Sequence, residues 1–295
     1  MIANYHTHTF RCGHADGRER DYAEAALSAG LKILGFSDHT PYDFFDSEPR
    51  NRPMRMKPEE LPDYAEAVRA LAEEYRDRLE IHLGVEAEFY PRYFPRLLEL
   101  LRENGVEYMI LGQHFLGNEI GDSYSGRPCP DRRELERYVA QTIEALQTGL
   151  FTYFAHPDLF HYVGSEAIFA GEMRKLCRAA KQTDTPLEIN LLGLREGRHY
   201  PNQLFWRIAA EEGNSVILGS DAHRPEHVLD PESEEKAIAL ANELGLQLIG
   251  TLPLRPINTS PSDGKTSIRD PFLRRPGPSL LPHFPPLPQK KKRKS

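Results

Sequence analysis

The 295-residue sequence predicts an α/β fold built on a parallel sheet, either an open doubly wound sheet or a closed barrel, followed by a segment of another kind. Three observations point there. Short apolar, β-branched runs recur seven times, amphipathic stretches separate most of them, and the composition changes abruptly near residue 250. The runs are residues 2–5, 32–37, 80–86, 108–112, 152–155, 186–189 and 215–219. The helical stretches are clearest at 64–79, 132–146, 167–180, 204–211 and 232–244, where apolar residues recur every three or four positions. Gly245 is placed to stop the last of these, and residues 246–249 read as one more short strand. Past Thr251 the periodicity fails.

Residues 1–250 are therefore expected to form one barrel-sized body, and 251–295 a tail. The tail holds ten of the 24 prolines and ten Lys or Arg against two acids, Asp263 and Asp270. The body carries 27 basic and 42 acidic side chains, so the overall charge of −7 averages a body of −15 with a tail of +8. The stretch from Arg255 to Ser295 has too little apolar surface to offset its ordering entropy and is expected to be disordered. Its basic end, Lys290 to Lys294, fits a solvated extension better than a nucleic-acid or nuclear-localisation element.

No apolar run approaches the roughly 18–20 residues of a membrane span. The N-terminus lacks the charged and apolar regions of a signal peptide. Cys12, Cys129 and Cys177 make an odd set without CxxC spacing, which argues against a disulfide framework and for a reducing, cytoplasmic setting. An acidic body is a poor sequence-independent binder of nucleic acid.

The chemistry gathers at the ends of the apolar runs. His6, His8 and His14 follow the first, Asp38 and His39 the second, Glu86 and Glu88 the third. His114 follows the fourth, His156 the fifth, Glu188 and Asn190 the sixth, and Asp221 and His223 the seventh. In parallel α/β folds these C-terminal strand ends converge on the functional face. Singly, each motif has an ordinary explanation, such as a helix cap at Ser37-Asp38-His39 or a satisfied buried imidazole at His114. Jointly, so many unpaired imidazoles and carboxylates at one place would repel or stay unsatisfied unless metal ions neutralise them.

The residues His6-x-His8, His14, Ser37-Asp38-His39, Gly84-Val85-Glu86, His114, His156-Pro157 and Gly219-Ser220-Asp221-Ala222-His223 resemble the polymerase and histidinol phosphatase (PHP) superfamily over residues 1 to about 250. Gly35 to Pro41, Glu188-Ile189-Asn190 and Gly193-Leu194-Arg195 are most similar to its histidinol-phosphate phosphatase branch. The resemblance implies a distorted (β/α)7 barrel with its metal site at the C-terminal ends of the strands. It implies three metal ions: His6, His8, Glu86 and Asp221 on the first, with Glu86 bridging to a second that also takes His114 and His156. His14, His39 and His223 would hold the third. Imidazole and carboxylate suit zinc, iron or manganese, so two to three divalent transition-metal ions are the expected cofactors. Their identity does not follow from the ligands.

In the resembling phosphatases an arginine at the Gly-Leu-Arg motif contacts phosphate, which assigns that role to Arg195; Arg18 and Arg198 are weaker candidates. A hydroxide bridging two ions would attack phosphorus, and Asp221 or His223 would relay a proton to the leaving alkoxide. Asp38 is expected to orient a histidine ligand, with a cap as the alternative, and Asp16 and Glu88 are further candidates for that service. Cys12 reads as a small loop thiol. The loop 115–124, with Glu119 and Asp122, would suit a cationic leaving group. The expected activity is hydrolysis of a small phosphorylated substrate, L-histidinol phosphate, in histidine biosynthesis. Alternatives are another PHP enzyme, such as a nucleotide or phosphotyrosine phosphatase or an exonuclease, and a non-catalytic metal-binding module.

Overall fold

A computed structural model of the chain describes residues 1–42, 54–117, 119 and 123–257. Its elements in chain order are β1 (Ala3–Asn4), α1 (Glu19–Ser28), β2 (Ile33–Phe36), α2 (Leu61–Tyr75), β3 (Glu80–Ala87), α3 (Phe94–Glu103), β4 (Tyr108–Leu111) and α4 (Arg132–Gln147). There follow β5 (Phe151–Phe154), α5 (Glu166–Gln182), β6 (Leu187–Asn190), α6 (Leu191–Arg195), α7 (Gln203–Glu211), β7 (Ser215–Gly219), α8 (Pro231–Leu244) and β8 (Gln247–Leu248). All seven expected strands and the short eighth are present, parallel, and in sequential order across one sheet.

The sheet curls into a distorted seven-strand barrel that closes only at the C-terminal ends. There Thr7, just past β1, bridges Ala222, just past β7. The His8 amide donates to the Ala222 carbonyl at 2.9 Å, and the Ser220 amide to Asn4 Oδ1 at 3.0 Å. At the opposite end β7 pairs instead with β8, through Ser215 and Val216. The closed end is the end that carries the histidines.

Side-chain alternation separates two cores. Ala3, Tyr5, Tyr108, Ile110, Tyr153, Ala155 and Ile217 fill the barrel interior, while Met109, Leu111, Phe154, Val216 and Leu218 pack outward with the helices. Tyr108 crosses the interior and donates to the carbonyls of Tyr5 and Phe36 at 2.9 and 3.0 Å. Gly84 makes room for it, since a Cβ there would lie 2.2 Å from the ring.

The helices follow their apolar stripes. In α4, Leu135, Tyr138, Val139, Thr142, Ala145 and Leu146 are buried, and Asp131 caps the start by accepting from the Arg133 amide at 2.8 Å. Gly245 ends α8 in the left-handed region (φ 67°). Helices α1 and α3, absent from the sequence reading, complete the layer around the strands. No helix among the described residues is long and apolar enough to cross a membrane.

One boundary shifts. Residues 251–257 were expected in the tail, yet they pack on the barrel, and the compact unit runs to residue 258. The Arg255 amide donates to Thr152 Oγ1 at 3.1 Å, and its guanidinium reaches Thr185 Oγ1 and the carbonyls of Thr183 and Asp184. Ile257 is fully buried, and its carbonyl accepts from Arg102 Nε at 2.9 Å. The rest of the expected tail, 258–295, lies outside the described residues. Burying an isoleucine side chain is worth about 1.5–3 kcal/mol. A chain ended after Gly250 is therefore expected to melt several degrees below one ended after Asn258; equal melting temperatures in calorimetry would contradict this docking.

Candidate metal centre

The first turn of chain beyond β1 places His6 and His8 with both Nε2 atoms facing inward, 3.1 Å apart. From β3, Glu86 presents Oε2 at 3.5 Å from His6 Nε2 and 3.4 Å from His8 Nε2. Past β7, Asp221 Oδ1 stands 3.5 and 3.3 Å from the same two nitrogens. Donors about 2.0–2.2 Å from one tetrahedral ion stand about 3.3–3.6 Å from each other. The four imidazole–carboxylate spacings fall in that range, and the 3.1 Å between His6 and His8 is slightly under it. Glu86 Oε2 and Asp221 Oδ1 are buried and make no aligned hydrogen bond, although imidazole nitrogens surround them. The donors point at a common centre rather than at one another.

The other oxygen of Glu86 serves a second group: Oε1 lies 2.8 Å from His156 Nε2 and 3.5 Å from His114 Nε2. A third group lies on the outer side, where His14 Nε2 and His223 Nε2 are 3.0 Å apart. His39 joins through the ring stack it shares with His8 and His14, with centroids at 4.4 and 5.4 Å, and its Nδ1 is 3.0 Å from Glu86 Oε2. All nine side chains singled out in the sequence thus meet at one place. Apart from the fully buried His6 and His8, they line a single cavity of about 560 Å³.

Partners behind the rings fix their orientation. His6 Nδ1 contacts Glu188 Oε1 at 2.8 Å and His114 Nδ1 contacts Glu88 Oε1 at 3.0 Å. His14 Nδ1 faces the Cys12 carbonyl at 3.0 Å and His223 Nδ1 the Asp221 carbonyl at 3.2 Å. A proton held on Nδ1 leaves the Nε2 lone pair for the cavity. Glu188 also accepts from the His156 amide and from Asn190 Nδ2, both at 3.0 Å, and Asn190 Nδ2 reaches Asp221 Oδ2 at 3.0 Å. His156 and Asp221 occupy the left-handed backbone region, φ 33° and 46°, where side chains are strained. Gly112 and Gly219 leave the space for the two carboxylates; a Cβ would fall 1.9 Å from Glu86 Oε1 and 1.7 Å from Glu188 Oε1.

Electrostatics keep the two carboxylates ionised and four of the rings neutral. Burial alone would raise the Glu86 carboxyl, but His114, His6 and His39 hold it well below the usual range. Asp221 is held low against the same burial by His6, His8 and His223. Burial depresses His8, His14 and His39, and takes His223 down to about 4. Burial also opposes charge on His6 and His114, yet Asp221, Glu188 and Glu86 raise the first and Glu86 and Glu88 the second.

Several secondary expectations change. Asp38 does not orient a histidine: its oxygens accept from the Thr9 amide and hydroxyl at 2.9 and 2.7 Å and brace the turn after β1, while burial pushes its carboxyl up to about 7. Asp16 is exposed and pairs with Arg224 at 3.3 Å. Glu88 does hold His114. Cys12 is buried with its thiol pushed up by burial, although its sulfur stays within 4.8 Å of the donor atoms of His14 and His223. Glu119 pairs with Arg55 instead of facing the cavity, and Asp122 lies outside the described residues.

Arg195, on α6, lines the cavity. Its Nη1 pairs with Asp230 at 3.2 Å, its Nη2 donates to the carbonyls of Ser220 and Asp221 at 3.3 Å, and its Nε has no protein partner. Arg198 also lines the cavity, bonded to Glu196 and Tyr200, whereas Arg18 lies over the Phe10 ring. Tyr124, at the end of the loop expected to form the pocket, does line it, while the sequence reading missed Glu188 as the hub behind two donors, and Leu159, Leu192, Tyr200 and His227 as cavity wall. Only Glu188 had a signal, as an acid at a strand end.

The PHP domain family model matches residues 4–191. The chain is 35% identical over 237 residues to a probable histidinol-phosphatase of Deinococcus radiodurans, covering 77% of this chain and 88% of that one. It is 26% identical over 254 residues to the histidinol-phosphatase of Bacillus subtilis, covering 74% and 92%. The solved histidinol phosphate phosphatase of Lactococcus lactis, complexed with zinc, L-histidinol and phosphate, superimposes with a TM-score of 0.66 at 19% identity, over 85% of this chain and 96% of that one. That structural match speaks for the fold.

Two outcomes are expected from this geometry. Gly112→Ala displaces Glu86 and should lower bound metal and turnover at least about tenfold; full metal content by elemental analysis would contradict the placement of Glu86. In metal-free protein, ring-proton NMR should show His223 titrating near 4. Since the unfolded chain takes up that proton near pH 6.5, His223 weakens the metal-free fold as pH falls from about 6.5 to about 4. A midpoint near 6.5 would contradict the burial.

Proposed function

The chain belongs to the PHP domain family, and we propose that it is a histidinol-phosphatase, a hydrolase that cleaves L-histidinol phosphate to L-histidinol and phosphate. The observation that carries the reading is the full set of nine His and carboxylate donors around one cavity, in a chain 35% identical to a probable histidinol-phosphatase along most of both lengths. At about 560 Å³ the cavity has the size of a small-molecule site.

Seven imidazoles and two carboxylates, without a thiolate, suit two to three divalent transition-metal ions, and zinc is the first choice ahead of iron or manganese. His6, His8, Glu86 and Asp221 would hold the first, Glu86, His114 and His156 the second, and His14, His39 and His223 the third. Such ions, when bound, polarise phosphoryl oxygens and bring the pKa of water toward neutrality.

The protein's own groups do the rest. Arg195 lines the cavity beside Asp221 and serves the phosphoryl oxygens. Asp221, kept ionised by its histidines and steadied by Asn190, takes the proton of the attacking water. Asp221 hands that proton on to the leaving alkoxide, which departs as the alcohol, while His223, kept neutral by burial, stays a donor of the third position. Tyr124, Leu159, Leu192 and Tyr200 give that alcohol an apolar, aromatic wall.

Purified protein is expected to turn over L-histidinol phosphate with a kcat/KM far above that for 5′-nucleotides or phosphotyrosine; a preference for either of those would replace this substrate. Arg195→Ala should keep its metal and lose about 30- to 1,000-fold in kcat/KM, the effect of removing a charge-assisted pair worth about 2–4 kcal/mol. Arg195→Lys should recover part of it. Turnover within about threefold of wild type, with metal intact, would remove the phosphate role.

A further inference from the structure

A buried arginine stands behind the second group of donors. Arg55 is only 7% exposed, and its guanidinium grips Glu88 with two bonds, Nη2 to Oε1 at 3.0 Å and Nη1 to Oε2 at 3.2 Å. The same Glu88 Oε1 meets His114 Nδ1 at 3.0 Å. Arg55 Nη1 also donates to the Thr40 carbonyl at 2.7 Å, Nη2 pairs with Glu119, and the guanidinium sits 5.4 Å from the Tyr42 ring centroid. One side chain thereby ties together the segments that follow β2, β3 and β4.

We propose that Arg55 is a positioning residue for the second metal position: by fixing Glu88, it holds the His114 ring with Nε2 turned toward Glu86 and His156. The inference rests on His114 being a ligand, not on the identity of the substrate. A carboxylate behind a ligand histidine both orients the ring and makes it a better donor. Glu88 is 1% exposed, and a buried carboxylate without a counter-charge is strongly destabilised. Arg55 supplies that charge in the planar, two-bond geometry that fixes the carboxylate's rotation. Without it, the ring loses its fixed partner and the ion its aligned donor.

The test reads metal binding, with zinc titrated into chelator-stripped full-length protein. Arg55→Met is expected to weaken one zinc per chain by about 10–100-fold and to leave the tightest zinc unchanged. Arg55→Lys, which keeps the charge but not the fork, should fall between. Glu88→Gln still offers a carbonyl oxygen to His114 Nδ1 and needs no counter-charge. Adding Arg55→Met to it should change zinc affinity less than about twofold, a non-additivity that marks action through Glu88. Should Arg55→Met bind every zinc with wild-type affinity, or weaken zinc equally with and without Glu88→Gln, the proposal is overturned. If zinc behaves as expected while histidinol phosphate is not hydrolysed, the substrate reading fails and this inference stands.

Discussion

A single buried carboxylate, Glu86, governs the site. It is 1% exposed, and five imidazole nitrogens stand within 2.8–3.5 Å of its two oxygens. An isolated charge at such depth would be prohibitively costly, and Oε2 makes no aligned hydrogen bond to the rings around it. Divalent cations held by Glu86 and the histidines around it would resolve both problems by compensating the charge and taking up its lone pairs. Much of the surrounding architecture serves this residue. Gly112 leaves the volume that Glu86 fills, and the barrel closes at the end where the rings converge.

The supporting residues form a second layer that is as structured as the first. Glu188 sits behind His6 and the His156 amide, Glu88 behind His114, and Asn190 between Glu188 and Asp221. These contacts hold donors whose backbones, at His156 and Asp221, adopt conformations that are unfavourable in isolation. Arg195 contributes from the far side by accepting no freedom itself: it joins the Ser220 and Asp221 carbonyls to Asp230, the residue that caps α8. Local strain is thus balanced by hydrogen bonds from neighbouring strand ends, which is how a rigid scaffold holds a reactive arrangement.

The strands and the metal donors were legible because each carries a periodic or repeated signal. Period-two apolar runs mark the strands, and a His or acid at the end of nearly every run marks the site. Helix α3 was missed because Pro91 and Pro95 crowd its start, although Pro95 belongs near a helix N-terminus, and its buried Phe94, Leu97, Leu98 and Leu101 form a regular stripe. Helix α1 was missed because its buried stripe is short and partly alanine. Residues 251–257 were masked by the proline-rich composition around them, which hid one well-buried isoleucine. The partners of Asp38 and Arg55 had no signal at all. Each depends on which of several polar groups lies closest in space, and Thr9 and Glu88 are far from them in sequence.

The most direct measurement is anomalous X-ray diffraction, at the absorption edge of the metal, on crystals of the protein loaded with zinc. Two strong peaks are expected on opposite sides of the Glu86 carboxylate, one among His6, His8 and Asp221 and the other beside His114 and His156. A crystal of active enzyme with no anomalous density next to Glu86 would contradict the account of this site.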